Sequence, residues 1–105
     1  MAQFDVHRNL GARRADTPFV VIIQSRIFDD VGRRVVVPLL HKAAAPPQPT
    51  SLNPIFDIEG RQVVLHPLQI VSVPFDQLGP KVGSLAVEGD RIIAALDLMI
   101  SRAWG

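Results

Sequence analysis

The sequence contains no cysteine and no tyrosine, one tryptophan and two methionines. Without cysteine there is no disulfide framework and no thiolate metal site, a composition that suits a reducing compartment. An excess of one charge is missing too: 11 basic residues face 10 acidic ones, a formal net charge of +1. Proteins that hold nucleic acid mainly through phosphate contacts carry a basic face and a larger surplus, so the balance argues against that class. Long hydrophobic runs are also absent. Phe19 to Ile23 is typical of the longest, far short of the roughly 20 residues that a membrane helix needs. The opening MAQFDVHRN has no basic segment followed by an apolar one. These absences lead us to expect a soluble, cytoplasmic protein with no secretory leader. There is no glycine-rich phosphate loop, no HExxH and no GxSxG. His7, His41 and His66 are scattered, with no second ligand at metal spacing, and read as surface or strand-end residues. No catalytic residue, metal or cofactor is expected, and binding becomes the function to look for.

What is present is a globular composition, 48% apolar and 20% charged over 105 residues. That suffices for one domain, 1–105, with its own core. Gln3 to His7 alternates polar and apolar and predicts a first strand with Phe4 and Val6 inward. Asn9 to Pro18 reads as a loop. Phe19 to Ile23 is a continuous β-branched and aromatic run, which predicts a central strand buried on both faces. Arg33 to Val37 predicts another strand, ended by Pro38 because proline cannot donate to an interior ladder. His41 to Pro54, rich in proline and alanine, reads as an exposed loop. Ile55 to Ile58 and Gln62 to His66 flank Glu59-Gly60, a hairpin turn. A strand over Leu68 to Val73 and an irregular piece over Phe75 to Pro80 follow. Five or six short strands and one helix describe a small barrel or strongly bent sheet with a helix packed on it.

The helix is predicted from Ser84, as its cap, to the end of the sequence. Leu85, Ile92, Leu96, Met99 and Ala103 fall on one narrow stripe at helical spacing, suited to lie on a core. Gly89 predicts a loosely formed first turn. A second row holds Ile93, Asp97, Ile100 and Trp104. The indole so near the end of the sequence either folds back onto the core or anchors a partner, since tryptophan is enriched at interface hot spots.

Ile27 and Phe28 are the other unexpected apolar residues, because they stand in a connection between Arg26 and Asp29-Asp30. Displayed apolar side chains on a small protein mark partner sites. Asp29-Asp30 with Arg33-Arg34 is the densest charge cluster. It reads first as a solvated turn with weak exposed ion pairs, and second as an acid and arginines for phosphoryl transfer or RNA cleavage.

Taken in order, these residues resemble the CcdB family, toxins of toxin–antitoxin modules that poison DNA gyrase. Gln3-Phe4-Asp5-Val6 is similar to the family's opening strand. Gln24-Ser25, then Ile27, then Gly32-Arg33-Arg34-Val35-Val36-Val37-Pro38-Leu39 is similar to its central signature. Val71-Ser72-Val73-Pro74, Gly79 and the helix ending Leu98-Met99 match its last third, and the resemblance covers nearly the whole chain. It implies an SH3-like, mainly β fold (β+α): a small barrel or five-stranded antiparallel sheet with a C-terminal helix, in a homodimer. It implies no catalysis, binding to the gyrase A subunit with trapping of cleaved DNA, and neutralisation by a cognate CcdA-like antitoxin with a disordered tail. The exposed Asn9–Thr17 and His41–Asn53 loops are candidates to receive that tail. By position the resemblance assigns gyrase contact to Ile27, Phe28, Asp97, Ile100, Trp104 and Gly105. Ser101-Arg102-Ala103 intervene between Ile100 and Trp104, whereas the family's Trp-Gly directly follows its Leu-Met-aromatic segment. Three residues advance a helix by about 4.5 Å and 300°, leaving the indole within about 60° of the family position. Two alternatives stand beside this reading: a MazF/Kid-like endoribonuclease using Asp29, Arg33 and Arg34, and a family member that binds antitoxin without poisoning gyrase.

Overall fold

The computed structural model describes residues 2–45 and 51–101. Among these residues, seven antiparallel strands form one curled sheet, with a single α-helix after the last strand. The strands are β1 (Asp5–Asn9), β2 (Phe19–Ile22), β3 (Arg33–His41), β4 (Ile55–Ile58), β5 (Arg61–Leu65), β6 (Val71–Pro74) and β7 (Leu78–Ser84); the helix α1 is Gly89–Ile100. They lie in the order β4-β5-β3-β2-β1-β7, with β6 also paired to β3. The mainly β fold with one helix is the class expected, with seven strands in place of five or six.

The long strand β3 organises the sheet. Along one side it pairs with β2; along the other it pairs with β6 over Arg33 to Val36 and with β5 over Leu39 to His41. The expected stop at Pro38 does not occur. Pro38 falls between Val36, opposite Val71, and Leu39, opposite Leu65, where β3 exchanges one neighbour for the other. The His66 amide donates to the Pro38 carbonyl at 3.0 Å, so the backbone of Pro38 faces this junction. Its missing N–H costs no ladder bond there.

Side chains alternate between two apolar layers. Val6, Phe19, Val21, Val37, Leu39, Val63 and Leu65 face α1, whose Ile92, Ala95 and Leu96 complete the main core. Val20, Ile22 and Val36 face the other way, against Val73 and Leu78. Every residue of β2 is therefore buried, as its continuous apolar run predicts. The predicted helix stripe lies on the core at Leu85, Ile92 and Leu96, with Met99 half-buried; Ala103 lies outside the described residues.

At the β4–β5 hairpin, Glu59 (φ 53°) and Gly60 (φ 76°) both adopt the left-handed conformation of the expected tight turn. Glu59 accepts two hydrogen bonds of 2.8 Å from Arg8 Nη2 on β1. Since β2 and β3 separate these partners within the sheet, the bond records how far the sheet curls.

The remaining boundaries differ from expectation for local reasons. β1 starts at Asp5, because Phe4 has φ 70°. The Phe4 amide donates to the Ile22 carbonyl at 2.6 Å and its own carbonyl accepts from the Leu85 amide at 2.8 Å. β6 starts at Val71, because Pro67–Gln69 form a 3-10 turn. Of the piece expected to be irregular, Phe75–Pro80, only Phe75–Gln77 is a 3-10 turn; from Leu78 the chain is strand β7, which runs to Ser84, the expected helix cap. It holds Gly79, Pro80 and Gly83, which mask a strand locally; its partner β1 sets it, through register shifts on either side of His7. The helix consequently begins at Gly89, after a 3-10 turn at Ala86–Glu88. Ser84 Oγ accepts from the Ala86 amide at 3.1 Å, just ahead of that turn, and does not cap the helix. The histidines also require correction. His7 lies buried within β1, its Nδ1 2.8 Å from the Gly79 carbonyl, and His66 is buried after β5; only His41 is a half-buried strand-end residue. No helix among the described residues is long and apolar enough to cross a membrane.

Candidate functional site

The connection between β2 and β3 carries Ile27 and Phe28. A chain leaving a fully buried strand and returning to β3 must satisfy its backbone polar groups as it turns. Ser25 begins a 3-10 turn over Arg26–Phe28, with its hydroxyl accepting from the Ile27 amide at 3.4 Å. The Phe28 amide donates to the Ser25 carbonyl, Asp29 to Arg26, and Val31 to Phe28, each at 3.1 Å. Gln24 ties the base of the loop: its Nε2 donates to the Phe28 carbonyl at 3.1 Å, while its Oε1 accepts from the Val35 amide at 3.0 Å.

Arg34 sits behind this loop and is only 6% exposed. Its Nη1 donates to the carbonyls of Val31 (2.6 Å) and Arg33 (2.9 Å), its Nη2 to that of Asp29 (2.9 Å). Its Nε lies 3.5 Å from the Asp29 carboxylate. Burying a guanidinium is expensive unless its donors are engaged and its charge is paired; here three N–H groups are engaged by backbone carbonyls and the Asp29 carboxylate supplies the opposite charge. The expected solvated turn is thus wrong for Arg34. Arg33 is exposed, and donates from Nε to Ser72 Oγ (3.0 Å) and from Nη2 to the Ser72 carbonyl (2.8 Å).

The braced loop turns its apolar side chains outward. Ile27 is 76% exposed, and Phe28 and Val31 are each 53% exposed. Phe75, 49% exposed, belongs to the same neighbourhood: its amide donates to the Gly32 carbonyl at 3.3 Å, and the Arg34 guanidinium stands 5.7 Å from its ring centroid. Val31 and Phe75 escaped sequence reasoning, although both are apolar residues in connections, the signal that exposed Ile27 and Phe28.

On α1, Asp97 and Ile100 are exposed and lie on one helix face at a spacing of three, with Ile93 beside them. Trp104 and Gly105 lie outside the described residues. Among the site residues, the structure brings Ile27 and Phe28 together on the loop, and Asp97 and Ile100 together on the helix. Among the described residues, no group of three or more histidine or acidic side chains could hold a metal ion.

A groove of about 440 Å³ opens on the sheet face opposite α1. Val20, Val36 and Pro38 line it together with the β1–β2 loop at Leu10 and Arg13, and with Val71 of β6.

The family model described as CcdB protein matches residues 3–101. The chain belongs to the CcdB family. Membership makes it a toxin of a toxin–antitoxin system, which agrees with the resemblance read from the Gly32–Leu39 and Val71–Met99 segments. No curated protein matches the sequence. Among solved structures, the CcdB-type fold is shared by an endoribonuclease in complex with its cognate antitoxin from Mycobacterial species. That likeness has a TM-score of 0.76 at 16% identity, covering 100% of this chain and 99% of the other. At this identity the likeness concerns the fold.

Proposed function

We propose that this CcdB-family chain is a non-catalytic toxin that binds the DNA gyrase A subunit, traps the gyrase–cleaved DNA complex, and is neutralised by a cognate antitoxin. The observation that carries the reading is the display of Ile27 and Phe28, 76% and 53% exposed, on a loop whose backbone is fixed by Gln24 and Arg34. A prebuilt apolar projection gives up little entropy on binding and so keeps more of its contact energy as affinity. Asp97, Ile100, Trp104 and Gly105 extend the proposed contact. The chain acts as a cytoplasmic homodimer in this proposal, because a twofold inhibitor makes every contact with a twofold target twice. The groove beside the Asn9–Thr17 loop offers an apolar floor to a partner segment that orders on binding.

The endoribonuclease alternative draws on likeness of fold. Against it, the Arg34 guanidinium is buried behind the loop, with three of its N–H groups on the carbonyls of Asp29, Val31 and Arg33, a position from which it does not present donors to a scissile phosphate in solvent. Pull-down of the gyrase A subunit with wild type and Trp104→Ala side by side tests the proposal: capture by wild type and loss with the variant support it. Expression of the chain alone in cells tests the remaining alternative, in which growth continues because only antitoxin is bound.

A further inference from the structure

Two turns far apart in sequence meet at Arg34. One is the β2–β3 loop, whose Asp29, Val31 and Arg33 carbonyls all accept from its guanidinium. The other is the 3-10 turn Phe75–Gln77 between β6 and β7, whose Phe75 ring lies against that guanidinium at 5.7 Å. The Phe75 amide also bonds the Gly32 carbonyl at 3.3 Å. The two turns carry four apolar side chains, Ile27, Phe28, Val31 and Phe75, each about half exposed or more. We propose that Arg34 joins the two turns into one rigid ledge, and that Phe75 contacts the same partner as Ile27 and Phe28, the gyrase A subunit.

The inference rests on the binding reading above and adds to it one contact residue and one positioning residue. Phe75 is tied by its amide to Gly32 and is half exposed, the state of an aromatic anchor before it is covered. Arg34 touches no partner. It acts by holding Phe28, Asp29 and Val31 in the turn, since a lysine in its place has one nitrogen with which to reach three carbonyls.

The test uses the full chain and three variants, Phe75→Ala, Arg34→Lys and, as a control, Val87→Ala at a 97% exposed position away from the ledge. Amide exchange is followed at Phe28, Asp29 and Val31, whose N–H groups bond within the turn, and affinity is titrated against the gyrase A subunit. Arg34→Lys is expected to speed exchange at those three amides by about tenfold, with β2 and β3 unchanged, and to weaken binding. Phe75→Ala removes the ring contact but keeps the Phe75 amide bond to Gly32 and the three Arg34 bonds to carbonyls, so exchange at those amides is expected to change by less than about threefold while binding weakens by about tenfold. Val87→Ala should match wild type. Wild-type affinity in Phe75→Ala overturns the contact, and unaltered exchange in Arg34→Lys overturns the joint. If wild type itself fails to bind, the gyrase reading falls and the Phe75 contact with it, whereas the exchange data still decide the role of Arg34.

Discussion

Gly89 opens the helix directly against the ring of Phe4: a Cβ at Gly89 would lie 2.8 Å from Phe4 Cε2. The ring has little room to retreat, because the Phe4 backbone is bonded on one side to Ile22 and on the other to Leu85. Helix propensity alone says that Gly89→Ala gains about 1 kcal/mol. Overpacking against a fixed ring costs about 1–3 kcal/mol, and that is the larger effect. Gly89→Ala is therefore expected to lower stability by about 1 kcal/mol in denaturant titration. In a Phe4→Leu background the sign should reverse, and a loss of equal size in both backgrounds would contradict the packing argument.

Ile92 and Ile27 are the same residue type in opposite settings. Ile92 is fully buried beneath α1 and Ile27 is 76% exposed. Ile92→Ala should cost about 2–4 kcal/mol by leaving a cavity. Ile27→Ala and Phe28→Ala should each change stability by less than about 0.5 kcal/mol, while each weakens gyrase binding by about tenfold. Thermal unfolding and binding titration of the three variants check the separation. An unstable Ile27→Ala protein would mean that the loop is part of the core.

Arg33 is the residue on which the endoribonuclease alternative most depends. In the structure its guanidinium lies on Ser72 at the edge of β6. As an exposed contact it contributes little to stability, so Arg33→Ala should fold normally. Purified wild type is expected to leave RNA intact. Cleavage that survives Trp104→Ala but disappears with Arg33→Ala would reverse the ranking of the two functions.

The parts of the fold legible in the sequence were those whose pattern repeats locally. The 3.6-residue spacing of Ile92, Leu96 and Met99 predicted the helix face that lies on the core. The unbroken Phe19–Ile22 run predicted the doubly buried strand, and Glu59-Gly60 predicted the hairpin. What could not be read depended on partners distant in sequence. Pro38 continues β3 because β5 and β6 meet beside it. β7 exists because β1 pairs with it, despite Gly79 and Pro80.

The same division runs through the site. Ile27 and Phe28 were conspicuous because apolar residues in a charged connection have no local excuse. Phe75 offered the same signal, but its place beside that loop could not be read, because only the tertiary fold sets its turn beside Gly32. Arg34 read as a solvated charge, since nothing in the linear order of residues tells that three backbone carbonyls converge on it.

The central claim is tested most directly by a DNA-cleavage assay with purified gyrase and the purified protein. Wild type is predicted to trap gyrase on cleaved DNA, and Phe28→Ala and Trp104→Ala to do so much less at equal concentration. Absence of any trapped complex with wild type, at concentrations where the proposed dimer would be assembled, would contradict the account.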